Sequence, residues 1–191
     1  MQKTYLSAQG LLEDAFRLGG QVYSSGFRPS FIVAIWRGGT PIGIAVQELL
    51  AYAGVQSDHI AIRTSSYSSG IDDRADSIRI HGMSYVVKNI SHDDRLLIVD
   101  DVFDTGHTIA AVIAHLREKA RLNTPEDIRV AVPYYKPSRN ETDREPDYYL
   151  HETEAWLKFP HSLEGLTEQE IAAHRPSIHT IVGSTGARGP S

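Results

Sequence analysis

Residues 96–109 read LLIVDDVFDTGHTI, an apolar run that ends in two carboxylates and continues into a short polar loop. The run 96–99 is bounded by charged residues, which is typical of a strand buried on both faces of a parallel sheet. Asp100 and Asp101 follow at its carboxyl end, where open α/β sheets bind their ligands. The stretch therefore predicts a strand, a loop and a helix, with a ligand site in the loop.

The loop at residues 104–108 has the composition of a phosphate site. It leads directly into an apolar helical pattern, so its backbone N–H groups, the hydroxyls of Thr105 and Thr108 and the helix dipole converge on one point. Two carboxylates beside that point indicate ribose hydroxyls or Mg²⁺ as further ligands. A plain strand-to-helix turn capped by Asp104 and Thr105 is the alternative, but it leaves the preceding acid pair unexplained.

The segment VDDVFDTGHT, residues 99–108, resembles the phosphoribosyl pyrophosphate (PRPP) motif of type I phosphoribosyltransferases. That motif has an apolar strand, two acidic residues, two apolar residues and an Asp-Thr-Gly-x-Thr loop, and each position is filled here. The resemblance implies that the 5′-phosphate is bound by Thr105, Gly106, His107 and Thr108, with His107 at the variable position.

The same resemblance assigns catalytic roles to three acids. Asp100 and Asp101 are implied to hold the ribose hydroxyls and, directly or through water, Mg²⁺ as the cofactor. Asp104 is implied to be the acid–base residue that contacts the imidazole ring of a purine.

A second turn, Arg37-Gly38-Gly39, follows a predicted strand at residues 31–36. Two glycines allow the backbone to approach an anion closely, and Arg37 adds a cation. By itself the turn is also a common structural feature before a helix, here one that begins near Pro41. The family resemblance implies that it is the loop that binds pyrophosphate.

The interval from Thr64 to about Met83 is rich in Ser, Asp and Gly and is predicted to be a long flexible loop. The resemblance implies a lid, because the ribosyl cation of the reaction must be shielded from water. Ser66, Tyr67 and Arg74 are the expected lid residues. Arg79 is an alternative to Arg74 as a pyrophosphate contact, and an ordinary solvated surface loop is the alternative to a lid.

The region after a predicted strand at residues 128–133 resembles the bacterial hypoxanthine and xanthine-guanine phosphoribosyltransferases. The resemblance implies that Lys136 donates to the 6-oxo group of a purine, that Trp156 stacks on the base, and that Leu157 contacts the base edge through its backbone. A solvated lysine and a tryptophan that covers a core are the alternative. Where the xanthine-guanine enzymes have Trp-Asp, this chain has His161-Ser162, which favours hypoxanthine over guanine.

Alternating helical and strand patterns predict an α/β fold, the type I phosphoribosyltransferase fold, with a central mostly parallel sheet flanked by helices, a small hood and a flexible lid loop. Helices are expected at residues 11–23, 42–53 and 108–120, and strands at 31–36, 59–63, 96–99 and 128–133. We expect one domain over residues 1–182, with the hood at about 134–165, and a disordered tail at 183–191. Thr167 and Glu170 have the spacing of a capping box for a short helix that ends before Pro176.

Composition excludes several functions. The formal net charge of −5 and the pI near 6.0 do not indicate the basic face of a nucleic-acid binder. Without cysteine, the chain has no disulfide or thiolate chemistry. The N-terminus has no apolar signal-peptide core and no apolar run reaches the length of a membrane span, so no membrane partner is expected.

We expect a cytoplasmic protein whose partners are PRPP and a purine base, and which forms a homodimer or homotetramer as related enzymes do.

These motifs together predict a purine salvage enzyme, a glycosyltransferase that converts hypoxanthine, guanine or xanthine and PRPP into a nucleoside 5′-monophosphate and pyrophosphate. A PRPP- or nucleotide-binding regulator of the same fold without turnover is the alternative from another functional class. A transferase for pyrimidines is a third interpretation, against which Lys136 and Trp156 argue.

Overall fold

The computed structural model describes residues 3–67 and 77–186 and divides into two compact units. The larger unit comprises Gln9–Glu154, and the smaller unit comprises Met1–Ala8 together with Ala155–Ser191. The helices are α1 (Ala8–Ser24), α2 (Gly39–Tyr52), α3 (Ser84–Asn89), α4 (His107–Ala120), α5 (Glu168–His174) and α6 (Pro176–Thr185). The strands are β1 (Lys3–Tyr5), β2 (Phe31–Trp36), β3 (Asp58–Tyr67), β4 (Ser77–His81), β5 (Arg95–Val99), β6 (Val102–Phe103), β7 (Asp127–Tyr135), β8 (Tyr148–Glu152) and β9 (Trp156–Lys158).

The sheet of the larger unit has the strand order β4-β3-β2-β5-β7, and both β6 and β8 also pair with β7. Strands β2, β3, β5, β6, β7 and β8 pair in parallel, whereas β4 pairs with β3 in the antiparallel sense. The prediction of an α/β fold with a mostly parallel sheet is confirmed. In the register of β2 with β5, Ala34 lies opposite Val99, so the loops after these two strands leave the sheet side by side.

Apolar runs explain why β2 and β5 lie at the centre of the sheet. Val33, Leu97 and Ile98 are fully buried, as expected for parallel strands with helices on both faces. Helix α4 buries Ile109, Val112, Ile113 and Leu116, a spacing that places them along one face of the helix. This face packs into the same apolar core as Ile98 and holds the start of α4 beside the end of β5.

The prediction of a loop from Thr64 to Met83 is wrong at both ends, because residues 64–67 and 77–81 lie in strands. Strand β3 continues to Tyr67, and β4 pairs with it so that Thr64 lies opposite Ile80 and Ser65 opposite Arg79. On such an edge hairpin one face is solvated, so polar and apolar residues alternate and the segment reads as polar. The centre of the predicted lid, including Arg74, lies outside the described residues.

The smaller unit joins the N-terminal strand to the C-terminal helices. Strand β1 pairs in parallel with β9. Helix α5 begins with the predicted capping box, in which Thr167 Oγ1 accepts from Glu170 N and Glu170 Oε2 accepts from Thr167 N. Helix α6 was not predicted and extends to Thr185, so the first three residues of the expected tail are helical. Across the described residues, no helix is long and apolar enough to cross a membrane.

Glu170 carries a pH dependence that can be measured. It accepts hydrogen bonds from Lys3 Nζ at 2.6 Å, from the backbone of Thr167 and from Tyr5, and these contacts lower its pKa to about 2. Because this value lies below the pKa of about 4.3 for an unfolded glutamate, the carboxylate stabilises the fold above pH 4.3. That stabilisation is lost as the pH falls through about 2.

We expect Glu170→Gln to lower the urea midpoint of unfolding at pH 7, and the difference from the parent protein to shrink between about pH 5 and about pH 2. Circular dichroism during urea titration at each pH measures this. Glu168→Gln is the matched control, because the Glu168 side chain is 89 % exposed on the same helix. A Glu170→Gln defect of the same size at every pH would contradict the assignment to the charge.

Candidate functional site

The turn after β2 packs directly against the end of β5. A Cβ at Gly38 would overlap the carboxylate of Asp101, and a Cβ at Gly39 would overlap the carbonyl oxygen of Val99 and lie 2.7 Å from Asp100 Cα. Any side chain at either position would therefore displace the acid pair. The structure thus brings together two predicted site segments, Arg37-Gly38-Gly39 and Asp100-Asp101, which are about 60 residues apart in the sequence.

The two acids are held next to each other at this contact. Asp101 N donates to Asp100 Oδ1 at 2.9 Å. Burial raises the pKa of Asp100 well above its usual value, and the charge of Asp101 raises it further. Two carboxyl groups under mutual repulsion favour the arrival of a cation, which would relieve that repulsion.

The donor set fits Mg²⁺ in a particular way. Mg²⁺ is usually bound by one or two carboxylates and completes its octahedral shell with water and substrate phosphates. Asp100 and Asp101 supply two carboxylates, while the described part of the chain contains no group of three or more His, Asp or Glu side chains that could hold a metal ion. The site therefore fits a cation that arrives with substrate oxygens better than a metal held by the protein alone.

The segment 104–108 forms a loop that ends at the N-terminus of α4. Gly106 adopts φ +82°, a left-handed conformation that suits glycine, and no side chain caps the helix at this position. The N–H group of the first helical residue has only a long hydrogen bond of 3.4 Å, from His107 N to Thr105 Oγ1, so this terminus is weakly capped and suited to an anion. The side chain of His107 turns away to place Nε2 3.1 Å from Glu141.

A cavity of about 200 Å³ lies at this helix terminus. Its lining is formed by Asp100, Asp101, Val102, Phe103, Asp104, Thr105, Gly106, Thr108 and Ile109. Small-molecule sites usually measure roughly 300–1,000 Å³, so this cavity accommodates part of a nucleotide-sized ligand. The acids and the phosphate-type loop that were predicted from the sequence therefore face one common space.

Asp104 lies between two cations. Lys136 Nζ donates to its Oδ2 at 3.3 Å, and Arg139 Nε lies 2.8 Å from its Oδ1. Lys136 is only 5 % exposed, so its ammonium group needs an anionic partner. The sequence predicted Asp104 and Lys136 as site residues but missed Arg139, whose only signal is a basic residue three positions after Lys136.

The remaining predicted residues are distributed over other elements. Ser66 and Tyr67 belong to the end of β3, where they pair with Ile78 and Ser77 of β4. Trp156 and Leu157 belong to β9 of the smaller unit. There the Trp156 ring is 46 % exposed, and Lys158 Nζ lies 4.5 Å from its centroid.

Comparisons with known proteins agree with this architecture. The family model described as phosphoribosyl transferase domain matches residues 1–170. A purine phosphoribosyltransferase from Pyrococcus horikoshii Ot3 is similar at 27 % identity and a TM-score of 0.66, over 87 % of this chain and 98 % of its own. A search of the curated proteins found no match.

Two other solved structures share the fold at lower identity. The Helicobacter pylori xanthine-guanine-hypoxanthine phosphoribosyltransferase has 18 % identity and a TM-score of 0.58, over 83 % of this chain and 90 % of its own. A hypothetical protein from Neisseria gonorrhoeae with bound ppGpp has 16 % identity and a TM-score of 0.70, over 97 % of this chain and 98 % of its own.

The close packing of the Arg37-Gly38-Gly39 turn predicts a steric effect of substitution. We expect Gly39→Ala to destabilise the protein by about 1–3 kcal/mol, because its Cβ meets backbone atoms of the neighbouring strand. The matched control is Gly20→Ala in the interior of α1, where a Cβ meets nothing within 4 Å. That change should stabilise the protein by up to about 1 kcal/mol. Urea unfolding measures both, and equal effects of the two substitutions would contradict the packing.

Proposed function

The chain belongs to the phosphoribosyl transferase domain family, and from this premise we propose that it is a purine salvage enzyme that transfers the phosphoribosyl group of PRPP to a 6-oxopurine. The observation that carries the proposal is the contact of Arg37-Gly38-Gly39 with the acid pair beside the cavity at the start of α4. PRPP has a 5′-phosphate, ribose hydroxyls and a pyrophosphate, and the site offers groups suited to each. The likeness to the Pyrococcus horikoshii enzyme supports a purine as the acceptor.

The proposed binding roles follow the chemistry of each segment. Residues 105–108 bind the 5′-phosphate through the hydroxyls of Thr105 and Thr108 and the N–H groups at the start of α4. Arg37, Gly38 and Gly39 bind the pyrophosphate. Asp100 and Asp101 accept hydrogen bonds from the ribose hydroxyls and, directly or through water, hold Mg²⁺. When bound, Mg²⁺ would neutralise charge on the pyrophosphate and so make it a better leaving group.

The proposed reaction needs charge control more than covalent catalysis. One imidazole nitrogen of the base bonds to the anomeric carbon of the ribose, and the bond from that carbon to pyrophosphate breaks with its electron pair leaving on oxygen. Asp104 accepts the proton from the other imidazole nitrogen, so the base of the product nucleotide is neutral. Lys136 donates to the 6-oxo group, Trp156 stacks on the base, and Leu157 contacts the base edge through its backbone.

Water must be kept from the ribosyl cation that develops during the reaction. We assign this protection to a lid that contains Ser66, Tyr67 and Arg74. Self-association as a homodimer or homotetramer and a cytoplasmic location stay predictions from the resemblance.

A nucleotide-binding regulator without turnover is the second candidate. The observation that favours it is the Neisseria gonorrhoeae protein, which shares the fold over 97 % of this chain and holds ppGpp. The two candidates differ in a single measurable property, since only the enzyme releases pyrophosphate from PRPP when a base is present.

In a steady-state assay of pyrophosphate release with Mg²⁺ present, we expect turnover of PRPP with hypoxanthine or guanine. Adenine and uracil should give little turnover. Asp104→Asn should lower kcat by roughly 10²–10⁴-fold, because the amide cannot accept the proton of the base. Asp93→Asn, at an exposed position in the turn before β5, is the matched control and should leave kcat unchanged.

A lack of pyrophosphate release with every base, combined with a binding measurement, would have the opposite meaning. Calorimetric binding of PRPP or ppGpp without turnover of any base would refute the enzyme and favour the regulator.

Base preference provides a separate prediction. Ser162 occupies the position where the xanthine-guanine enzymes have a carboxylate, so we expect a higher kcat/KM for hypoxanthine than for guanine. Ser162→Asp should shift the ratio towards guanine by about tenfold, the effect of one hydrogen bond to a charged group. Ser162→Ala is the control that removes the hydroxyl without adding charge. An unchanged ratio in Ser162→Asp would contradict the assignment of this segment to base recognition.

A further inference from the structure

Arg139 is a charged residue at the site to which the roles above give no task. Its guanidinium contacts the carboxylate of Asp104, and its side chain remains 48 % exposed. Asp104 is thus shared between the exposed Arg139 on Oδ1 and the buried Lys136 on Oδ2. A carboxylate proposed to take a proton from the base therefore has a cation beside each oxygen before any base arrives, with a hydrogen bond at Oδ2 and an ion-pair contact alone at Oδ1.

The backbone around Arg139 is attached to the loop that carries Asp104. Lys136 N donates to Phe103 O at 2.9 Å, and Glu141 N donates to Thr105 O at 3.0 Å. These two bonds flank Asp104 on one segment and Arg139 on the other. Between them, residues Pro137–Arg139 form a 3-10 turn, in which Arg139 N donates to Lys136 O at 3.1 Å. Arg139 is consequently presented to Asp104 by two backbone anchors.

A bound base would compete for the side chain of Lys136 but not for that of Arg139. A 6-oxo oxygen would compete with Asp104 for the ammonium group of Lys136, whose bond to Asp104 is already long at 3.3 Å. Arg139 has no such second task, and its Nε is closer to the carboxylate, at 2.8 Å. A planar guanidinium also restricts the rotation of a carboxylate more than an ammonium group does.

We propose that Arg139 is a positioning residue for the transferase reaction, which keeps the Asp104 carboxylate aimed at the base when Lys136 turns to the 6-oxo group. This inference rests on the proposed function. Without Arg139, Asp104 would rotate towards Lys136 and form a closed ion pair that withholds both side chains from the base. Loss of Arg139 would then slow the chemical step and weaken the contacts with the base, and it would leave the binding of PRPP unchanged.

The test is a double-mutant cycle on kcat. Arg139→Ala should lower kcat roughly 10- to 100-fold, because the carboxylate loses the ion pair that orients it, with the KM for PRPP unchanged. Arg139→Lys should restore part of the loss, because it retains the charge. In the Asp104→Asn background, Arg139→Ala should change the residual kcat by less than about threefold, since the group it positions is already gone.

Controls separate this role from folding. Arg117→Ala removes an exposed arginine from α4 and should leave kcat unchanged. Urea midpoints of all variants verify that the proteins are folded, and the exposed position of Arg139 makes its substitution tolerable. An equal loss of kcat from Arg139→Ala in both backgrounds, or an increase in the KM for PRPP alone, would overturn the positioning role.

The two levels of the proposal fail in different ways. An unmodified protein and an Arg117→Ala variant that both lack turnover would refute the enzyme itself. Turnover by the unmodified protein together with full activity of Arg139→Ala would refute only the role of Arg139.

Discussion

The structure depends on one steric constraint, the absence of side chains at Gly38 and Gly39. Strands β2 and β5 are neighbours in the sheet, so the loops that follow them compete for the same space at its carboxyl edge. The two glycines allow the first loop to lie against the acid pair of the second. The backbone of the first loop and the carboxylates of the second can therefore approach one ligand together, which neither loop could achieve with a Cβ between them.

A second constraint acts on Asp104. The backbone bonds from Lys136 to Phe103 and from Glu141 to Thr105 attach the segment after β7 to the loop before α4. This attachment brings three side chains from two distant segments of the sequence into one charged cluster, namely Asp104 from one segment and Lys136 and Arg139 from the other. A cluster with one carboxylate and two cations retains a net positive charge, which suits a site for an anionic substrate.

The reliability of the sequence-based predictions followed the strength of the local signals. Strand β2 was predicted with its bounds, and α4 to within one residue, because long apolar patterns report burial on a parallel sheet. The capping box at Thr167 was confirmed because its bonds lie within one turn. Strand β4 was missed because its polar alternation depends on pairing with β3. Helix α6 was missed because it follows α5 directly across Arg175, with no loop between them to mark a second helix.

The sequence by itself determined the family and the chemistry available at the site. Residues 99–108 contain a strand end, an acid pair and a phosphate-type loop in one continuous stretch, so neighbours along the chain define them. Only the tertiary structure decided which groups meet. Gly38 reaches Asp101 because β2 and β5 are adjacent strands, and Arg139 reaches Asp104 because the segment after β7 bonds to the loop before α4. Those contacts depend on strand order and register, which are set by long-range pairing and burial and leave no mark in the local pattern of residues.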